Sequence, residues 1–194
     1  MKRSFVGVLA CMTVVGLSVT AGAQAEAPVQ PDYKVVTGSS GDLVSDDAFD
    51  LQSVVSGSSL TYKRQGTLGG INLGWDTKHG DYVTIKRQAG SGPVKYGEPV
   101  AIRVRRGNDG NYIRYSRRDL GINLDWSSSP VYEWRIKGGQ DGQPVKAGAV
   151  IAIVSTVEKD SLVYCYRKNG AWLKWSKDCS RAERELAKRG APSL

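Results

Sequence analysis

Apolar residues in this chain fall in short runs of alternating sidedness, separated by glycines and polar turns. Val100 to Val104 (Val-Ala-Ile-Arg-Val), Tyr112 to Tyr115 (Tyr-Ile-Arg-Tyr) and Val150 to Val154 (Val-Ile-Ala-Ile-Val) are typical. Runs this short, rich in β-branched and aromatic residues and closed by Gly or Asn, predict strands rather than helices. The runs also recur. Ile71-Asn72-Leu73-Gly74-Trp75 returns as Ile122-Asn123-Leu124-Asp125-Trp126 and, degraded, as Ala171-Trp172-Leu173-Lys174-Trp175, with the closing tryptophans 51 and then 49 residues apart. Tyrosines open each period at Tyr33, Tyr82 and Tyr132, and Pro93-Val94-x-x-Gly97 is matched by Pro144-Val145-x-x-Gly148. Repeats of this length are supersecondary units that bury an apolar face only by packing on their neighbours.

Each module divides into four short strands; in the second they are 82–86, 100–104, 112–115 and 122–126. Three such modules, at 33–81, 82–131 and 132–176, predict an all-β β-trefoil, in which six strands close a barrel and three hairpins cap it. A β-sandwich is the alternative, though it does not require a threefold repeat. Strand alternation places Ile71, Leu73 and Trp75 on one face, and likewise Ile122, Leu124 and Trp126. With Leu173 and Trp175 of the third copy, these form the expected core.

Gly110-Asn111-Tyr112-Ile113, followed by Ile122-Asn123-Leu124 and then Tyr132-Glu133-Trp134-Arg135-Ile136, resembles the cadence of fascin-like and actin-crosslinking-type β-trefoils. The resemblance covers roughly residues 33 to 176 and implies a fold more than a function. The Gln-x-Trp signature of ricin-type lectins is missing, with Asn-Leu-x-Trp in its place.

The ends follow other rules. Residues 1–25 read as a signal peptide, with Lys2 and Arg3 before the apolar run Phe5 to Leu17 and a small-x-small site at Ala23-Gln24-Ala25. Residues 26–32 read as a flexible leader and 177–194 as a C-terminal tail. In the tail, Ser180-Arg181-Ala182-Glu183 has the form of a capping box, and a short helix is expected over 181–189, stopped by Gly190 and Pro192. Cleavage leaves two cysteines, Cys165 and Cys179, expected to pair as a disulfide in an oxidising compartment. The expected location is therefore outside the cytoplasm, extracellular or periplasmic, with no membrane span.

Charge narrows the function. The whole chain carries a formal +8, and between Lys86 and Arg118 there are nine basic side chains against two acidic ones. Alternation turns Ile102 and Val104 inward and Arg103 and Arg105 outward. Arg103, Arg105, Arg106, Arg114, Arg117 and Arg118 become candidate ligand contacts, because guanidinium forks match carboxylate, sulfate and phosphate groups. A solvated face that merely keeps the protein soluble fits the same residues. Trp172 is a further candidate: it stands where the other copies have Asn, on the outward side, as a stacking platform unless the tail helix covers it.

Chemistry is sparse by comparison. The one histidine, His79, lies in a polar junction between modules and reads as a solvated turn residue. Asp42, Asp46, Asp47 and Asp50 cluster, but their spacing fits no calcium loop. No nucleophile elbow or phosphate-binding glycine loop occurs. The expectation is a secreted, non-enzymatic binding module without cofactor or metal, recognising a glycan or an anionic cell-surface polymer, with nucleic acid not expected. The alternative is a protein partner, engaged in the manner of a protease inhibitor or toxin through the glycine-rich loops at 105–111 or 137–143.

Overall fold

The computed structural model describes residues 29–65, 71–106, 109–119 and 121–190. The signal segment, the start of the leader, Asn108 and Pro192 lie outside the described residues. The twelve strands are β1 Tyr33–Val36, β2 Ala48–Ser53, β3 Ser59–Tyr62, β4 Leu73–Asp76, β5 Val83–Arg87, β6 Pro99–Arg106, β7 Asp109–Tyr115, β8 Leu124–Ser127, β9 Trp134–Lys137, β10 Val150–Ser155, β11 Asp160–Tyr164 and β12 Leu173–Trp175. Among the described residues a 3-10 turn, Ser176–Asp178, and the helix α1, Arg181–Lys188, follow the strands.

Strands β1, β2, β5, β6, β9 and β10 pair in a ring: β1 with β2, β2 with β5, β5 with β6, β6 with β9, β9 with β10 and β10 with β1, all antiparallel. Closure leaves no free edge in this ring. The fold is thus a closed six-stranded barrel with six outer strands and one short helix, which corrects the β-trefoil expected from the repeat. The outer strands are not equivalent caps. β2 meets β3 at one residue pair, β6 meets β7 at five and β10 meets β11 at three. A sequence period specifies which residues alternate, but the extent of each ladder depends on what the facing strand presents.

The barrel is filled from all three modules, by Val35, Leu51, Ile85, Ile102, Ile136, Ile153 and their neighbours, each almost wholly buried. Trp134 is fully buried and its indole N–H donates to the Ile113 carbonyl at 2.8 Å, so this core aromatic leaves no polar atom stranded.

The Ile-Asn-Leu-x-Trp motif is more than a strand. Ile71, Leu73, Ile122, Leu124 and Leu173 are buried as expected, but the strands start at the leucine. In every copy the leucine amide donates two residues back, to Ile71, Ile122 or Ala171, at 2.8, 2.7 and 2.7 Å. This is a three-residue turn at a strand start. The asparagine at its centre clamps the preceding loop: Asn72 Oδ1 accepts from the Gln65 amide and Asn123 Oδ1 from the Arg118 amide, both at 3.0 Å. The three tryptophans do not share the common core expected of them. Trp175 is buried, whereas Trp75 and Trp126 are half-buried at the margin of the core. Each meets a tyrosine of another module: Tyr62 with Trp126 at 6.1 Å between ring centroids, Tyr115 with Trp175 at 6.3 Å and Tyr164 with Trp75 at 4.9 Å. The third copy has no asparagine. Trp172 replaces it and packs instead against Tyr164 and Tyr166, at 5.7 and 5.2 Å.

The tail behaves as its local sequence requires. Ser180 Oγ accepts from the Glu183 amide and the Glu183 carboxylate accepts from the Ser180 amide, so the capping box is complete. Cys165 and Cys179 are bonded. Arg184 reaches from α1 to the fully buried Asp32 just before β1, gripping both carboxylate oxygens, and donates to the Tyr164 carbonyl. Ala187 is the one buried residue of the helix, and Lys174 on β12 pairs with Glu183 at 2.5 Å.

Candidate functional site

The β5–β8 ladder gives the second module an outward face whose composition can be read from register. Arg103 stands opposite Thr84 on β5 and Tyr112 on β7, Tyr112 opposite Ser127 on β8, and Arg114 opposite Asp125. Val100, Ile102 and Val104 point into the core, so Ala101, Arg103 and Arg105 point out. Residues two apart on a strand sit about 7 Å apart. Lys86, Arg103, Arg105 and Arg114 therefore form a basic array on one sheet surface, interleaved with Tyr82 and Tyr112.

Glycines allow the arginines to lie close to the sheet. A Cβ at Gly110 would fall 2.6 Å from Arg103 Nε, so the guanidinium stem passes over that residue. Arg105 donates to the Gly80 carbonyl at 2.5 Å and lies over the Tyr82 ring, 5.6 Å from its centroid. At the far edge Asp125 takes Arg114 at 3.4 Å and Arg118 at 2.8 Å. Burial opposes ionisation of this carboxyl, but the Trp126 amide, Arg118 and Arg114 together hold it below its ordinary value. Those two arginines are positioned by Asp125, while Arg103 forms no ion pair with a described side chain.

The other predicted residues do not all join this face. Arg106 falls on the opposite side of β6 and lies over Tyr62, 4.9 Å from the ring centroid. Arg117 is exposed in the turn after β7. Trp172 belongs to a different surface, since its ring neighbours are Tyr164 and Tyr166. It is half-buried by them, and Leu186 of the tail helix stays 43 % exposed. Arg87 is withdrawn from ligand binding by a two-pronged bond to Glu98 at 2.7 and 3.0 Å.

Comparison of the modules sharpens the contrast. Ile102 pairs with Ile113, and Ile153 pairs with Leu162, so Arg103 and Arg114 correspond to Val154 and Val163. In the third module these outward positions are apolar and buried, on the sheet against which α1 lies. In the second module they carry charge and remain accessible.

The acidic cluster is dispersed by folding. Asp42 pairs with Lys146 at 3.2 Å and Asp46 with Lys86 at 3.5 Å. Asp50 is buried and accepts from His79 Nδ1 at 2.9 Å, from the Gly80 amide at 3.1 Å and from the Tyr82 amide at 3.4 Å. His79 is therefore more than a solvated turn residue: one ring nitrogen is fixed, although its side chain stays 60 % exposed. Sequence reasoning missed this pair because Asp50 and His79 belong to different elements. Among the described residues the one grouping of metal-capable atoms is Cys165, Cys179 and Glu183, and its sulfurs are bonded to each other.

Fold and face together define a small all-β barrel with one basic sheet surface. No protein-family model matches the chain, and no curated protein or solved structure matches it. Among the described residues no helix is long and apolar enough to cross a membrane.

Proposed function

We propose that this chain is a secreted binding module whose basic β5–β8 face recognises an anionic polymer, an acidic glycan of a cell surface above all. The single observation that carries this reading is the outward row of Arg103, Arg105 and Arg114, of which Arg103 and Arg114 stand where the third module has the buried Val154 and Val163. A merely solvated face would not need guanidinium groups laid over glycine and tyrosine. Fixing them costs side-chain freedom in the free protein and lessens the loss on binding. The tyrosines between them offer flat surfaces to sugar rings. The disulfide is compatible with export, and the signal-like segment 1–25 favours it.

Retention on immobilised heparin and on a panel of uronate- and sulfate-bearing glycans tests the reading. Wild-type protein should be retained and elute with salt, because exposed charges are screened. Arg103→Ala and Arg114→Ala should each elute earlier. A correctly folded wild-type protein that passes through every acidic glycan column overturns the proposal.

A further inference from the structure

Beside the basic face lies a cavity of about 310 Å³ lined by Val36, Thr37, Gly38, Asp50, His79, Gly80 and Asp81. It adjoins Arg105 directly, because that arginine donates to the Gly80 carbonyl. We infer that this cavity is a second subsite, which holds a neutral, hydroxyl-bearing sugar unit of the same polymer whose anionic groups lie on the arginines. The inference rests on the proposed function and names the part of the ligand that the arginines do not read.

Its chemistry is complementary to theirs. Asp50 holds His79 Nδ1 at 2.9 Å, which fixes the ring and leaves Nε2 as its remaining polar atom. The exposed Asp81 adds carboxylate acceptors. Thr37 Oγ1 is already engaged, donating to the Ser39 carbonyl at 2.5 Å and accepting from the Ser39 amide at 3.1 Å. The polar groups of the lining left for a ligand are the Asp81 carboxylate and His79 Nε2, and sugar hydroxyls, which both donate and accept, can meet them. A sulfate or carboxylate would meet the charges of Asp50 and Asp81 and is turned toward Arg105 instead. Val36 gives the C–H face of a ring an apolar wall. The site is also held in shape: Asp50 is anchored by two backbone amides, and a Cβ at Gly80 would stand 2.4 Å from the Tyr82 ring. Asp81 has a positive φ of 50°, a conformation that Asp and Asn adopt more readily than other side chains.

Two probes separate the subsites: hyaluronan oligosaccharides, whose carboxylates alternate with neutral hydroxylated rings, and polyphosphate, which is anionic and has no sugar. Affinity is measured for both across a salt series, with thermal melts of each variant. Asp81→Asn retains the backbone preference and removes the carboxylate; His79→Gln removes the imidazole. Each should weaken hyaluronan binding by about tenfold, in line with loss of a hydrogen bond to a charged or buried partner. His79→Gln should leave polyphosphate binding and the salt dependence unchanged, and Asp81→Asn, which removes a negative charge beside Arg105, should leave polyphosphate binding no weaker than wild type. Arg103→Ala should weaken both probes. Should Asp81→Asn, with an unchanged melt, bind hyaluronan as tightly as wild type, or lose both probes equally, the cavity is not a hydroxyl subsite even though the basic face stands. Should wild type bind neither probe, the basic-face reading fails and the subsite with it.

Discussion

Replacement of Arg184 by Ala gives the sharpest test of how the tail is held. The Asp32 carboxylate is fully buried, and only 14 % of the Arg184 side chain is exposed. Arg184 binds both carboxylate oxygens, and the Tyr164 amide donates to one of them at 2.5 Å. Truncation leaves a buried charge with one backbone donor. Breaking a buried pair by removing one partner costs about 3–5 kcal/mol. For a domain of this size, each kcal/mol moves the melting temperature by roughly 2–4 °C, so the expected fall is roughly 6–20 °C. The assay is urea denaturation and a thermal melt of the oxidised protein, so that disulfide exchange does not break the two-state treatment. Asp32→Ala and the double variant complete a mutant cycle, and the double variant should recover part of the loss because no buried charge is stranded. A loss below about 1 kcal/mol for Arg184→Ala, within the range of exposed pairs, would refute the reasoning. It would mean that water reaches Asp32 once the arginine is gone.

Further outcomes follow from the same contacts. Reduction, or Cys165→Ala with Cys179→Ala, should cost about 3 kcal/mol by the chain-entropy estimate for a loop of this length, read from urea midpoints. Asn123→Ala should cost about 1–2 kcal/mol and speed amide exchange at Arg118, whose N–H loses its acceptor. Trp134→Ala should cost about 3–5 kcal/mol, and Trp126→Ala measurably less, since the first is fully buried and the second is not; equal losses in denaturant melts would contradict the packing. The Glu183 carboxyl is held below its ordinary value by Lys174, then by the Ser180 amide. A depressed folded-state pKa adds stability that is present above the unfolded value of about 4.3 and is lost as pH falls through the folded one. Acid melts of Lys174→Gln should therefore show a shallower decline below about pH 4.3 than wild type.

The sequence by itself determined the strands, the repeat, the helix cap and the disulfide. Each depends on neighbours along the chain or on a count of cysteines. Ser180 and Glu183 are three residues apart, so their reciprocal bonds were legible as spelling. The alternation of Ile102, Arg103, Val104 and Arg105 likewise fixed which side of β6 faces the core. Only the tertiary structure decided how the strands close, because ladder length is a property of two strands and the repeat describes one. It showed a turn before the strand at Asn72 and Asn123, and it left Trp75 and Trp126 at the margin of the core while burying Trp175. It separated Arg106 and Trp172 from the other candidates, and joined Asp50 to His79 across 29 residues of chain. Contacts between distant segments arise from the packing of whole elements, and no local pattern encodes them.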